Sequence, residues 1–160
     1  MEKDYIALTA LAGLLAVILL ILLIRRRKPK KERQASVRRL VKNATEMSPD
    51  KFFALRNTCF GTKTLGSSYN FAGVYIIYNK NTKKYYVGQA KHIFSRVNNH
   101  LTGKGNGDVY ADFVYGDKFT VRLIELQGSG FKTLNQLERC VISYFDAYEK
   151  GYNKTKGNKG

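Results

Sequence analysis

The chain is 160 residues long and carries 28 Lys and Arg against 12 Asp and Glu, a formal net charge of +16. That length excludes more than one modest domain beside any non-globular segment, and that charge points to a polyanionic partner, either nucleic acid or an anionic lipid surface. The two cysteines, Cys59 and Cys140, have neither CxxC spacing nor a histidine cluster beside them, which argues against a zinc or disulfide framework and reads as free thiols of a reducing compartment.

Residues 5–24 contain no charged side chain and consist mainly of Leu, Ile, Ala and Val. As a helix such a run spans roughly 30 Å, the thickness of a bilayer's hydrocarbon core, so residues 1–24 are predicted to form a transmembrane anchor. Lys3 is the sole early cation, and Arg25-Arg26-Arg27-Lys28 follows the apolar run without a cleavage signal. This is the pattern of a retained helix and not of a signal peptide. Cations on the C-terminal side place the N-terminus outside and the remainder in the cytoplasm, as a single-pass protein of the cell membrane. Residues 25–42 hold ten basic side chains against Glu32. They open a basic juxtamembrane linker over 25–70, held to anionic lipid at about 1 kcal/mol per cation. Pro29 interrupts the helix leaving the membrane. A short helix is expected over 34–44, and Ser48-Pro49-Asp50, a cap before a proline, opens another over 49–57.

Gly61, Gly66, Ser67 and Ser68 mark a loop leading into a domain over 71–160. Residues 71–78 are β-branched and aromatic, a strand; Asn79-Lys80-Asn81-Thr82 is turn chemistry, and residues 84–88 form a second strand of the hairpin. Ile93, Val97 and Leu101 recur at four-residue spacing, a helix with one apolar stripe. A glycine loop at 103, 105 and 107 precedes a further helical segment near 109–115. Residues 118–126 alternate as a third strand. Thr133 and Gln136 resemble a capping box opening a last helix, with Leu134, Leu137, Val141, Tyr144 and Tyr148 inward and Gly151 at its end. The expected fold class is α/β (α+β), a compact domain with an antiparallel sheet.

Several polar residues are left over once packing is assigned. Tyr75 and Tyr86 lie on the hairpin strands. Arg96 and His100 are four apart on one helix and share a face distinct from the apolar stripe. Glu138 sits early in the last helix, and Asn153 follows it. A carboxylate can hold one divalent cation, a guanidinium can offset charge on a pentacovalent phosphorus, and a phenol or imidazole can take a proton from water. Each residue also has a plain alternative: tyrosines pack on strands, Arg96 and His100 suit a solvated helix face, and Glu138 suits a helix start.

In their order and separations these residues resemble the GIY-YIG nuclease family. Gly73-Val74-Tyr75 and Tyr86-Val87-Gly88 look like its paired name motifs, with valine in place of isoleucine in both. Arg96 and His100 follow at the family's spacing, and Glu138, then Gly151-Tyr152-Asn153, match its glutamate and closing asparagine. The resemblance covers roughly residues 71–155. It implies a small three-stranded antiparallel sheet flanked by helices, and metal-dependent hydrolysis of DNA phosphodiesters. Glu138 would hold Mg²⁺ or Mn²⁺, and Arg96 would stabilise the phosphorane. Tyr75 or Tyr86, relayed by His100, would activate or orient water, and Asn153 would position the site. An unperturbed phenol titrates near 10, so Arg96 and the metal would have to lower that value.

Residues 25–70 are short and basic and do not read as a separate recognition module, so weak sequence preference, or specificity from DNA structure or a partner, is expected. The expectation is thus a membrane-anchored endonuclease acting on DNA at the cytoplasmic face. A non-catalytic DNA tether of the same fold is the alternative, and a peripheral lipid-binding module would leave the C-terminal residue set unexplained.

Overall fold

The computed structural model describes residues 13–18, 30–61 and 70–158. The chain divides into two units, Met1–Arg33 and Gln34–Gly160. In the first, residues 13–18 are helical, with Leu14, Leu15, Val17 and Ile18 exposed. The rest of the anchor expected over 5–24 lies outside the described residues, and among the described residues no helix is long and apolar enough to cross a membrane.

The second unit is organised around β1 (Gly73–Asn79), whose Val74, Tyr75, Ile76 and Ile77 are all buried. A strand apolar on both faces has to be central. It pairs antiparallel with β2 (Tyr85–Ala90) on one side and β3 (Phe119–Glu125) on the other, giving the order β2-β1-β3. The hairpin turn is fixed by Asn79, whose side-chain oxygen accepts from the N–H groups of Asn81 (2.9 Å) and Thr82 (3.2 Å). Such an Asx turn substitutes a side-chain carbonyl for a backbone one.

Alternation along the strands separates two cores. On one face Tyr75 and Ile77 pack with Phe52, Ile93, Phe94, Val97 and Val109. These come from α2 (Pro49–Gly61), α3 (Ile93–Leu101) and α4 (Gly107–Tyr115). On the other face Val74 and Ile76 pack with Val37, Val41, Leu137 and Val141, from α1 (Lys30–Asn43) and α5 (Leu134–Tyr144). The three-stranded antiparallel sheet flanked by helices is therefore the fold expected from sequence.

The two helices expected in the linker form, and they belong to the packed domain. Val37 and Phe52 are fully buried on opposite faces of the sheet, and burying a side chain such as Phe52 contributes about 2–3 kcal/mol. Between them Met47 pairs with Val121, its N–H reaching the Val121 carbonyl at 3.0 Å and its carbonyl accepting in return at 2.8 Å. This covers part of the free edge of β3, which would otherwise offer open hydrogen-bonding groups to another chain.

The last helix is shorter than expected. α5 starts where the capping pattern places it, with Thr133 Oγ1 accepting from the Gln136 N–H at 3.2 Å. It ends at Tyr144 and does not run on to Gly151. Asp146 adopts a left-handed φ of 50°, and the Ala147 N–H folds back to the Ile142 carbonyl at 3.0 Å. Tyr148, expected on the buried face, is consequently exposed, while Leu137, Glu138, Val141 and Ile142 are buried.

Candidate active site

The hairpin register sets Tyr75 opposite Gly88 and Ile77 opposite Tyr86. Tyr75 and Tyr86 are therefore diagonal neighbours on one sheet face, with ring centroids 6.1 Å apart. Gly88 makes this possible, because a Cβ there would overlap the Tyr75 hydroxyl. The glycine of the second motif provides the space occupied by the tyrosine of the first.

α3 brings Arg96 and His100 to these phenols. Its first turn is held by Asn70, whose side-chain oxygen accepts from the Phe94 N–H at 3.0 Å. Ile93, Val97 and Leu101 are buried as the stripe predicts. Arg96 is exposed, but His100 is not on the same open face: it is 0 % exposed. α3 is wedged among the sheet, α2 and α4, so a second side of this short helix is covered. His100 Nε2 lies 2.8 Å from the Tyr75 hydroxyl, and its ring sits 4.7 Å from the Tyr86 ring. Its Nδ1 accepts the Asn106 backbone N–H at 2.8 Å.

These surroundings set the charge states. Burial, then the Arg96 charge, pulls the His100 pKa down to about 4, so the ring is neutral at pH 7. Burial, with Tyr86 beside it, pushes Tyr75 far above the usual phenol range, although Arg96 opposes the shift by charge and hydrogen bonding. Burial also raises Tyr86, and the nearby Glu138 charge adds to the rise; Tyr75 and Arg96 act against it. Tyr75 is 1 % exposed, whereas Tyr86 is only half-buried. Tyr86 is thus the outer phenol and Tyr75 the inner one.

Glu138 reaches the cluster from α5, on the opposite face of the sheet, and is 7 % exposed. Its Oε2 accepts from Gln89 Nε2 at 2.9 Å and from the Asn158 N–H at 3.3 Å. Both donors are neutral, and among the described residues no Lys or Arg forms an ion pair with this carboxylate. A buried carboxylate without a counter-charge suits a cation. Among the described residues no three His, Cys, Asp or Glu side chains converge. This single carboxylate would suit one hard divalent ion, with Glu138 as the residue to hold it.

Asn153 takes a different place. Its side-chain oxygen accepts from the Val87 N–H at 2.8 Å, and its Nδ2 donates to the Val87 carbonyl at 2.7 Å. Both amide functions are used on the backbone between Tyr86 and Gly88, so Asn153 closes the free edge of β2 and fixes the motif strand. Tyr75, Tyr86 and His100 thus form one contact group, on which Arg96 acts by charge and, at Tyr86, Glu138 as well. Two polar residues escaped the sequence reading. Gln89 joins Glu138 to Asn135, its Nε2 donating to Asn135 Oδ1 at 2.6 Å. Asn106 holds His100 and caps α4. Gln89 stands directly after the second motif, and Asn106 sits between two glycines before a helical run; that adjacency was the available signal.

A comparison with family models matches residues 71–157 to the GIY-YIG catalytic domain. No curated protein and no solved structure matches the chain.

Proposed function

The chain belongs to the GIY-YIG family and is an endonuclease of that type, a phosphodiester hydrolase; on that premise we propose that it hydrolyses DNA with one divalent cation, Mg²⁺ or Mn²⁺, held at Glu138. The observation that carries this reading is the grouping of Tyr75, Tyr86 and His100 under the charges of Arg96 and Glu138, the latter buried and, among the described residues, in no ion pair. When bound, the cation offsets charge on the scissile phosphate and favours ionisation of the attacking water. Arg96, exposed at the rim, offers its guanidinium to the phosphate oxygens as negative charge develops there. The half-buried Tyr86 orients the water, with Tyr75 and His100 behind it; burial raises its phenol pKa, so it takes the proton of the water only after losing its own. Asn153 keeps Tyr86 in place through Val87.

The catalytic unit is further proposed to work at the cytoplasmic face of the cell membrane. The uncharged run over 5–24 and the ten cations over 25–42 support this, since anchor and basic linker would hold the domain against anionic lipid and raise its effective concentration for DNA passing there. Finding the full chain evenly distributed in the cytoplasm contradicts that part alone. Contact through phosphate neutralisation makes DNA binding strongly salt-dependent.

Nicking of supercoiled plasmid by the full chain tests the chemistry. Cleavage is expected with Mg²⁺ or Mn²⁺ and none with EDTA. Arg96→Ala and Glu138→Ala should each lower the rate on the order of 10²–10³-fold. DNA binding without cleavage under every metal would instead support a non-catalytic tether.

A further inference from the structure

Both ring nitrogens of His100 are engaged, and the partners fix which one carries the proton. Nδ1 faces the Asn106 backbone N–H at 2.8 Å. A backbone N–H can only donate, so Nδ1 holds the lone pair. The proton of the neutral ring therefore sits on Nε2, 2.8 Å from the Tyr75 hydroxyl. It follows that His100 donates to Tyr75, so the proton of Tyr75 points away from the histidine; the Tyr86 ring lies 6.1 Å from the Tyr75 ring.

Asn106 is well held for this task. Its side-chain oxygen caps α4 by accepting the Val109 N–H at 3.1 Å, and its Nδ2 donates to the Tyr152 carbonyl at 3.2 Å. Its own carbonyl accepts the Tyr110 N–H at 3.1 Å. The preceding residue, Gly105, has no room for a side chain, because a Cβ would overlap His100 Nδ1. The loop is thus shaped to press a backbone donor onto the imidazole.

We propose that Asn106 is a positioning residue of the cleavage site: its backbone N–H locks His100 as the Nε2–H tautomer and so directs a donor chain outward, His100 to Tyr75 to Tyr86. In this arrangement His100 is a fixed hydrogen-bond donor and not a proton acceptor, because Nε2 is already protonated and Nδ1 is closed by Asn106. Tyr86 is the outer, half-buried hydroxyl of the donor chain. When Tyr86 loses its proton to solvent water, the Tyr75 O–H donates to the resulting phenolate and stabilises it, so that Tyr86 can take the proton of the attacking water. The functional sense of the chain rests on the endonuclease reading; the tautomer itself does not.

The test uses the full chain labelled with ¹⁵N-histidine. There are two histidines, and His92→Asn leaves His100 alone. Two-bond correlations from ring nitrogens to ring protons should show a neutral ring protonated only at Nε2 from pH 7.5 to 5.5. A ring protonated at Nδ1, or exchanging between tautomers, overturns the proposal whether or not the protein cuts DNA. Gly105→Ala should abolish the single-tautomer signature and lower the nicking rate at least tenfold, with DNA affinity unchanged; an unaltered signature and rate would contradict the assignment. Should that variant fail to fold, His100→Gln and His100→Leu separate the roles. Glutamine supplies a donor near the Nε2 position, so it should retain at least tenfold more nicking than leucine. Equal loss in both would identify a proton-accepting histidine instead. A wild-type chain with the Nε2–H signature but no cleavage would overturn the nuclease reading and leave the tautomer established.

Discussion

Two buried tyrosine hydroxyls differ in how their hydrogen-bonding capacity is used. Tyr152 is saturated: its hydroxyl donates to Asp112 Oδ2 at 2.5 Å, accepts from Asn79 Nδ2 at 2.8 Å and lies 3.2 Å from Thr82 Oγ1. Asn79 Nδ2 also reaches Asp117 Oδ2 at 2.7 Å. This network joins the hairpin turn, α4 and the C-terminal segment. Tyr75, at least as deeply buried, has one close hydrogen bond, to His100, and its remaining capacity faces Tyr86 and Arg96. A closed network rigidifies a fold, whereas one with capacity directed toward a cleft can act on a substrate. Burial of a polar group alone does not distinguish structure from function; the direction of its unused capacity does.

The largest effect expected on the structural side is at the hub of the closed network. Asn79→Leu removes hydrogen bonds to Tyr152, Asp117 and two turn amides and should cost about 3–5 kcal/mol of unfolding free energy in a denaturant titration. The fraction still folded should cut plasmid at nearly the parent rate. A stable Asn79→Leu protein with no activity would reverse the assignment of the two regions.

On the Tyr75 side, His100 ties stability to pH. Its folded pKa of about 4 lies below the ordinary histidine value of 6.5, so the unfolded chain binds a proton that the native one refuses. The contribution is therefore complete above pH 6.5 and is lost as pH falls toward 4, up to about 3 kcal/mol. Comparing unfolding free energies of parent and His100→Gln at pH 7 and pH 4.5 should show a smaller fall in the variant. An identical fall in both would place the acid sensitivity elsewhere.

A smaller effect sharpens the link between the regions. Asn153→Ala opens both bonds to Val87, and should cost about 1–2 kcal/mol while slowing nicking by a few-fold as Tyr86 loosens. Full activity with lowered stability would make the Asn153 clamp purely structural.

Much of this was legible from local pattern. The β-branched run over 71–78, the Ile93, Val97 and Leu101 stripe and the Thr133 cap each correspond to an element close to its expected bounds. Motif spacing selected Tyr75, Tyr86 and His100, which are in contact, and Arg96 and Glu138, whose charges bear on Tyr86. What local pattern misses is tertiary. Helical spacing gave Arg96 and His100 a common face, yet only packing against the sheet, α2 and α4 shows that His100 is enclosed. Val37 comes from the basic run read as a lipid-bound linker and Phe52 from the remainder of that linker, although both are core residues. α5 stops early because Asp146 turns left-handed, which no strong breaker announces. Gln89 and Asn106 acquire roles through partners distant in sequence or in a loop.

The most direct test pairs Tyr75→Phe with Tyr152→Phe in the full chain, following plasmid nicking and thermal unfolding together. Tyr75→Phe should lower nicking about 100-fold, with a stability loss of about 1 kcal/mol from the orphaned His100 donor. Tyr152→Phe should do the opposite, losing about 2 kcal/mol of stability from unpaired Asp112 and Asn79 groups while cutting within a few-fold of the parent. A Tyr75→Phe protein with parental nicking, or the same balance of losses in both variants, would contradict the division of labour between the two hydroxyls.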